Sequence, residues 1–96
     1  MISIHIDFEG GLQTDFQAPN GVDFQIPQGT KLHQLPSLLA QKYITPEHPI
    51  KFITEDGSVL PGILIMINDA DSEIEGLDVD LQNKDNVTFI STLHGG

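Results

Sequence analysis

Between positions 2 and 8 the chain alternates strictly: Ile2, Ile4, Ile6 and Phe8 are apolar, and Ser3, His5 and Asp7 between them are polar. Successive side chains of a β-strand point to opposite faces, so this pattern makes a strand with one face buried and one in water. Such a strand needs a sheet beside it and a layer over its apolar face. Val22, Phe24 and Ile26, with Asp23 and Gln25 between them, repeat the same period and read as its antiparallel partner. Glu9-Gly10-Gly11 offers a turn, and Pro19, Asn20 and Gly21 interrupt the interval. Leu12 and Phe16 lie inside that interval, which leaves room for the pairing to begin earlier than the alternation shows.

The covering layer is expected next. Leu32, Leu35, Leu38 and Leu39 fall near one face of a helix, with Thr30 as its N-cap. Pro36 lacks an N–H and crowds the preceding turn, so the regular helix should begin near it after a looser first turn. Pro46 and Pro49 lie beyond its end. Residues 50–54 are expected to form a short strand closed by the turn Glu55-Asp56-Gly57-Ser58. Residues 63–67 are apolar without a break, the pattern of a strand covered on both faces or placed at the sheet centre. Residues 68–76 are polar and acidic. Asp85-Asn86 then signals a turn before a final strand over residues 87–91. The expectation is an α+β domain, a mixed sheet of four to five strands packed on one main helix, in the β-grasp arrangement.

At 96 residues the chain has room for one such domain. Its charge is lopsided: 14 Asp and Glu face 4 Lys and no Arg, a formal net charge of -10. Nucleic acids are held largely by Lys and Arg neutralising phosphates, so direct nucleic-acid binding is not expected. An acidic surface suits steered encounters with basic protein surfaces. No cysteine is present, which excludes thiol chemistry and thiolate metal sites on the chain itself. His5, His33 and His48 lack metal-ligand spacing and read as surface residues. The acidic run after Asn68 has no Gly at the sixth position of a calcium loop, so caps and solvation explain it better. No metal site is expected. The N-terminus alternates and carries no secretory pattern, and no run approaches the roughly 20 apolar residues of a membrane span. The expected setting is cytoplasmic, away from membranes, with a monomer as the default state.

The C-terminus reads Phe89-Ile90-Ser91-Thr92-Leu93-His94-Gly95-Gly96. Upstream stand Pro61-Gly62-Ile63-Leu64 and Ile67-Asn68-Asp69-Ala70-Asp71. Together these resemble the eukaryotic-type ubiquitin-related modifiers, within the ubiquitin-like sulfur carriers. The resemblance is specific from Pro61 onward and architectural before it. Leu60 and Ser72 stand where the family pattern usually has Arg and Trp.

That resemblance implies a protein substrate and carrier, not an enzyme. It divides the chain into a β-grasp domain over 1–92 and a flexible tail over 93–96. Gly96 is then the site of thiocarboxylation and conjugation, and Thr92, Leu93, His94 and Gly95 are the segment an activating enzyme recognises. The implied partners are an activating enzyme with adenylating and rhodanese-like domains, a tRNA thiolation enzyme and lysine-bearing target proteins. ATP is used by the activating enzyme, and no cofactor is bound by the carrier. Two terminal glycines suit this chemistry, because a tail without Cβ atoms can thread a narrow tunnel in backbone conformations closed to other residues. Two alternatives share the fold: a carrier dedicated to molybdopterin or thiamin synthesis, and a non-covalent ubiquitin-like interaction domain whose tail is incidental.

Overall fold

The computed structural model describes residues 1–71 and 76–93. The first alternating run forms β1 (Ile2–Glu9), and the second forms β2 (Val22–Ile26). They pair antiparallel from Ile2 opposite Ile26 to Ile6 opposite Val22. This register places Ile4, Ile6, Phe8, Phe24 and Ile26 on one buried face. Leu12 and Phe16 do not extend the ladder. They are carried by α1 (Leu12–Asp15) and its C-cap, one helical turn that brings both into the core. Two apolar residues four apart suit a single turn of helix, and the Gln13 side chain steadies its start by accepting the Gly11 N–H at 2.9 Å.

The main helix begins as expected around Pro36. A 3₁₀ turn (Leu32–Gln34) leads into α2 (Leu35–Tyr43), where Pro36 sits in the first turn and forfeits no helical hydrogen bond. Thr30 is not the cap. Its hydroxyl donates to Pro27 O at 2.6 Å. The free donors at the helical start are instead met by other groups: Gln34 Oε1 takes the Lys31 N–H, Val79 O takes Leu32, and Leu77 O takes His33. Leu32, Leu35 and Leu39 are fully buried, and Leu38 packs at the edge of the core. Ile44 leaves the helix in an extended conformation, two residues before Pro46.

Residues 50–54 do not make a strand. One bridge joins Ile53 to Val59, and the segment is tied by Thr54 N–H to Ser58 O and Leu60 N–H to Phe52 O. Its main contribution is Phe52, which is driven fully into the core. Then β3 (Ile63–Ile67) and β4 (Ala70–Asp71) form a hairpin, and β5 (Asn86–Ser91) completes the sheet. Asn68 and Asp69 form the two-residue loop of that hairpin at φ 50° and 69°. A two-residue loop with both φ positive matches the strand twist, and Asn and Asp tolerate that region best after Gly. The Asn68-Asp69 pair of the resemblance segment therefore has a structural reason. Asn68 also takes the Asn86 N–H on its side-chain oxygen and donates to Asp85 Oδ1, locking the hairpin to the turn before β5.

Sheet order is β2-β1-β5-β3-β4, with β1 and β5 parallel and every other pair antiparallel. The apolar run of β3 is neither central nor covered on both faces. Ile63, Ile65 and Ile67 are buried, whereas Leu64 is 48% exposed on the outer face opposite Ile90. The inner face closes over an aromatic chain. Phe8 stacks on Phe16 at 4.2 Å between ring centroids, Phe16 meets Phe52 edge-on at 5.0 Å, and Phe52 meets Phe89 edge-on at 5.2 Å. No helix among the described residues is long and apolar enough to cross a membrane.

Candidate functional site: the root of the C-terminal tail

The central strand β5 is the last element among the described residues, so the chain beyond Ser91 leaves from the middle of the sheet and not from its edge. Val87 and Phe89 anchor β5 in the core at zero exposure, and Ser91 is also buried at the inward end of the alternation. A serine there needs a partner. Its Oγ accepts the Leu93 N–H at 3.1 Å. The next residue turns toward the segment before β3: the Thr92 N–H and the Thr92 hydroxyl both donate to Gly62 O, at 2.9 and 2.6 Å. The tail is thereby tied by backbone and side chain at the point where it leaves the domain.

Two glycines make room for this exit. Gly62 adopts φ +96°, and a Cβ on it would come within 2.6 Å of Leu93 Cδ2 and 3.1 Å of Thr92 Oγ1. Gly10, at φ +71°, lies so close to β5 that a Cβ would stand 2.0 Å from Ser91 O. Any other residue meets backbone strain at either position, together with a backbone collision at Gly10 and displacement of the Leu93 side chain at Gly62. The tail root is gripped on both flanks, by the turn after β1 and by the approach to β3.

Of the residues expected to form the site, Thr92 and Leu93 are brought together at this root, with Leu93 51% exposed. His94, Gly95 and Gly96 lie outside the described residues. Sequence reasoning did not single out Gly10 or Ser91, and it quoted Gly62 only within the Pro61-Gly62 pair. Their role depends on contacts between distant segments. Leu60, at the position of a family Arg, is partly buried against the core.

Elsewhere, the outer face of β1 and β2 holds His5 between two carboxylates, with Nδ1 at 2.8 Å from Asp23 and Nε2 at 3.1 Å from Asp7. The bond to Asp23 raises the imidazole above its ordinary pKa, partial burial opposes this, and Asp7 adds to the rise. Asn86 Nδ2 donates to the other oxygen of Asp7, fixing that carboxylate. His48 is used structurally, with Nε2 at 2.8 Å from Asp15 O. Among the described residues no group of three or more His, Asp or Glu is arranged to hold a metal ion.

A mixed sheet wrapped on one helix, with its final central strand running out as a tail, defines the ubiquitin-like β-grasp class. Among solved structures, Urm1 from Trypanosoma brucei superimposes with a TM-score of 0.76 at 35% identity, covering 98% of this chain and 95% of that one. SAMP1 from Haloferax volcanii superimposes with a TM-score of 0.77 at 14% identity over 98% and 99% of the two chains, a likeness of fold alone. The family model Urm1 (Ubiquitin related modifier) matches residues 3–96. The ubiquitin-related modifier 1 of Bos taurus is 42% identical over 98 residues, covering 99% of this chain and 96% of that relative. The chain belongs to the ubiquitin-related modifier family.

Proposed function

We propose that this protein is a sulfur carrier and protein modifier that works through the carboxylate of Gly96. The observation that supports this best is the junction of two facts: membership of the ubiquitin-related modifier family, and a central strand that runs out of the sheet toward a Gly95-Gly96 end. The carboxylate attacks the α-phosphate of ATP on an activating enzyme with adenylating and rhodanese-like domains, releasing pyrophosphate and leaving an acyl adenylate. A persulfide of that enzyme attacks the carbonyl, AMP departs, and a mixed acyl disulfide forms. A second enzyme thiol attacks the first cysteine's own sulfur, forming an enzyme disulfide and leaving the persulfide's outer sulfur on Gly96 as the thiocarboxylate. Each covalent step divides a difficult substitution into easier ones. Every thiol comes from the partner, because this chain has no cysteine.

The loaded carrier then supplies sulfur to a tRNA thiolation enzyme for the wobble uridine. The carrier itself need not touch RNA, in keeping with its net charge of -10. In the modifier role, the ε-amine of a target lysine attacks the carbonyl of the acyl adenylate, AMP departs, and an isopeptide bond forms with loss of a proton from the amine. His94 and Gly95 belong to the segment read by the activating enzyme, and the site of action is the cytoplasm.

Loading with ATP, the activating enzyme and a sulfur donor tests the reading by intact-protein mass. One oxygen should be replaced by one sulfur. Omitting ATP, deleting Gly96 or adding a residue after it should abolish the change, since small displacements of a reacting group lower rates by about a hundredfold. Undiminished loading of the chain lacking Gly96, or sulfur on an internal residue, would overturn it.

A further inference from the structure

The Gly62 and Thr92 contact joins segments 30 residues apart. It lies beyond the regular β3 to β5 ladder, whose pairing runs from Ile67 opposite Val87 to Ile63 opposite Ser91. Thr92 is itself exposed, so its two bonds to Gly62 O bury no apolar side chain of its own. They set the direction in which the chain departs. Ser91 Oγ, taking the Leu93 N–H, fixes the next peptide as well. Residues 93 to 96 carry the chain from Thr92 to the Gly96 carbonyl, and fully extended they reach at most about 14 Å. Wherever an enzyme holds the folded body, the place and angle of this root bound where the terminal carboxylate can be delivered.

We infer that Gly62 and Thr92 are positioning residues for the reaction at Gly96: they clasp the tail root and aim it. This rests on the carrier reading above. Gly62 contributes an accepting carbonyl and the absence of a Cβ, which leaves space for the Leu93 side chain. Thr92 contributes a hydroxyl already engaged within its own domain, so its polarity serves the clasp before it serves any partner. Opening the clasp lengthens the free tail and lets it swing, lowering the fraction of docked carriers whose carboxylate lies in line with the ATP α-phosphate.

The test compares wild type with Thr92→Val, Thr92→Ser and Gly62→Ala in ATP-dependent loading by the activating enzyme. Thr92→Val keeps the shape and the backbone N–H bond to Gly62 O but removes the hydroxyl donor; it should lower kcat by about tenfold with KM within about twofold of wild type, and Thr92→Ser should restore kcat. A purely structural loss would reduce the folded fraction, raising apparent KM and leaving kcat unchanged. In the free protein, Thr92 amide exchange should quicken in Gly62→Ala. If that variant fails to fold, the Thr92 pair carries the test alone. Wild-type kcat in Thr92→Val, or a Thr92→Ser variant as slow as Thr92→Val, would overturn the positioning role. An unloaded wild-type chain is a separate result that overturns the carrier reading itself, and this role with it.

Discussion

Phe52 comes from a segment with almost no regular structure, yet it is fully buried and touches the rings of both Phe16 and Phe89. Removing it should open a cavity between Phe16 and Phe89, which lie on separate segments and cannot both collapse into it. Phe52→Ala is expected to lose about 3–5 kcal/mol of stability, a large share of the roughly 5–15 kcal/mol a small domain possesses. Urea unfolding measures this, and a loss below about 1 kcal/mol would mean that Phe52 does not hold the aromatic chain together. Nothing in the sequence marks Phe52 above the other phenylalanines, because its importance arises from contacts far along the chain. The same holds for Gly62 and Gly10. A glycine is visible in the sequence, but the Leu93 side chain that a Cβ at Gly62 would displace and the Ser91 carbonyl that forbids one at Gly10 are not. By contrast the Gly95-Gly96 pair is visible in the sequence itself, and the chemistry proposed for it depends on a terminal carboxylate and not on a fold.

At the scale of elements, β1, β2, the main helix and β5 were legible because period-2 alternation and leucine spacing report which faces are buried. The misreadings have physical causes. Leu12 and Phe16 looked like strand material, but a four-residue spacing also fits one helical turn. Residues 50–54 have strand composition, yet only Ile53 finds a bridge partner, in Val59. The unbroken apolar run of β3 suggested cover on both faces, and Leu64 instead stands on the open one. The β1 and β2 pair also carries a pH dependence. His5 faces Asp7 on its own strand, Asp23 across the ladder on β2, and neutral Asn86 opposite it on β5. Its folded-state pKa lies above the unfolded value, so the protonated ring stabilises the fold. That contribution is complete below about pH 6.5 and is lost as pH rises through the higher folded-state value. It should be small, since the ring is 38% exposed. Denaturant midpoints across this window should decline for wild type and flatten for His5→Gln. Equal slopes in both proteins would remove His5 as the cause.

For the whole molecule, the net charge of -10 is spread over a domain with only 4 Lys, of which Lys31 is paired with Asp80 at 2.6 Å. Long-range attraction of such a body to a basic enzyme surface acts mainly on encounter. Raising salt should therefore slow association with the activating enzyme more than it quickens dissociation. An association rate that ignores salt would leave the charge as a matter of solubility. On the proposed function, the domain would be a handle and an aiming device for a reaction beyond it, at the Gly96 carbonyl. The mass of the C-terminal peptide recovered from cells tests this most directly. The expected result is a population in which one oxygen of the Gly96 carboxylate is replaced by sulfur, together with peptides joined through Gly96 to a lysine. A C-terminal peptide found only as the free carboxylate, in cells actively thiolating their tRNA, would contradict it.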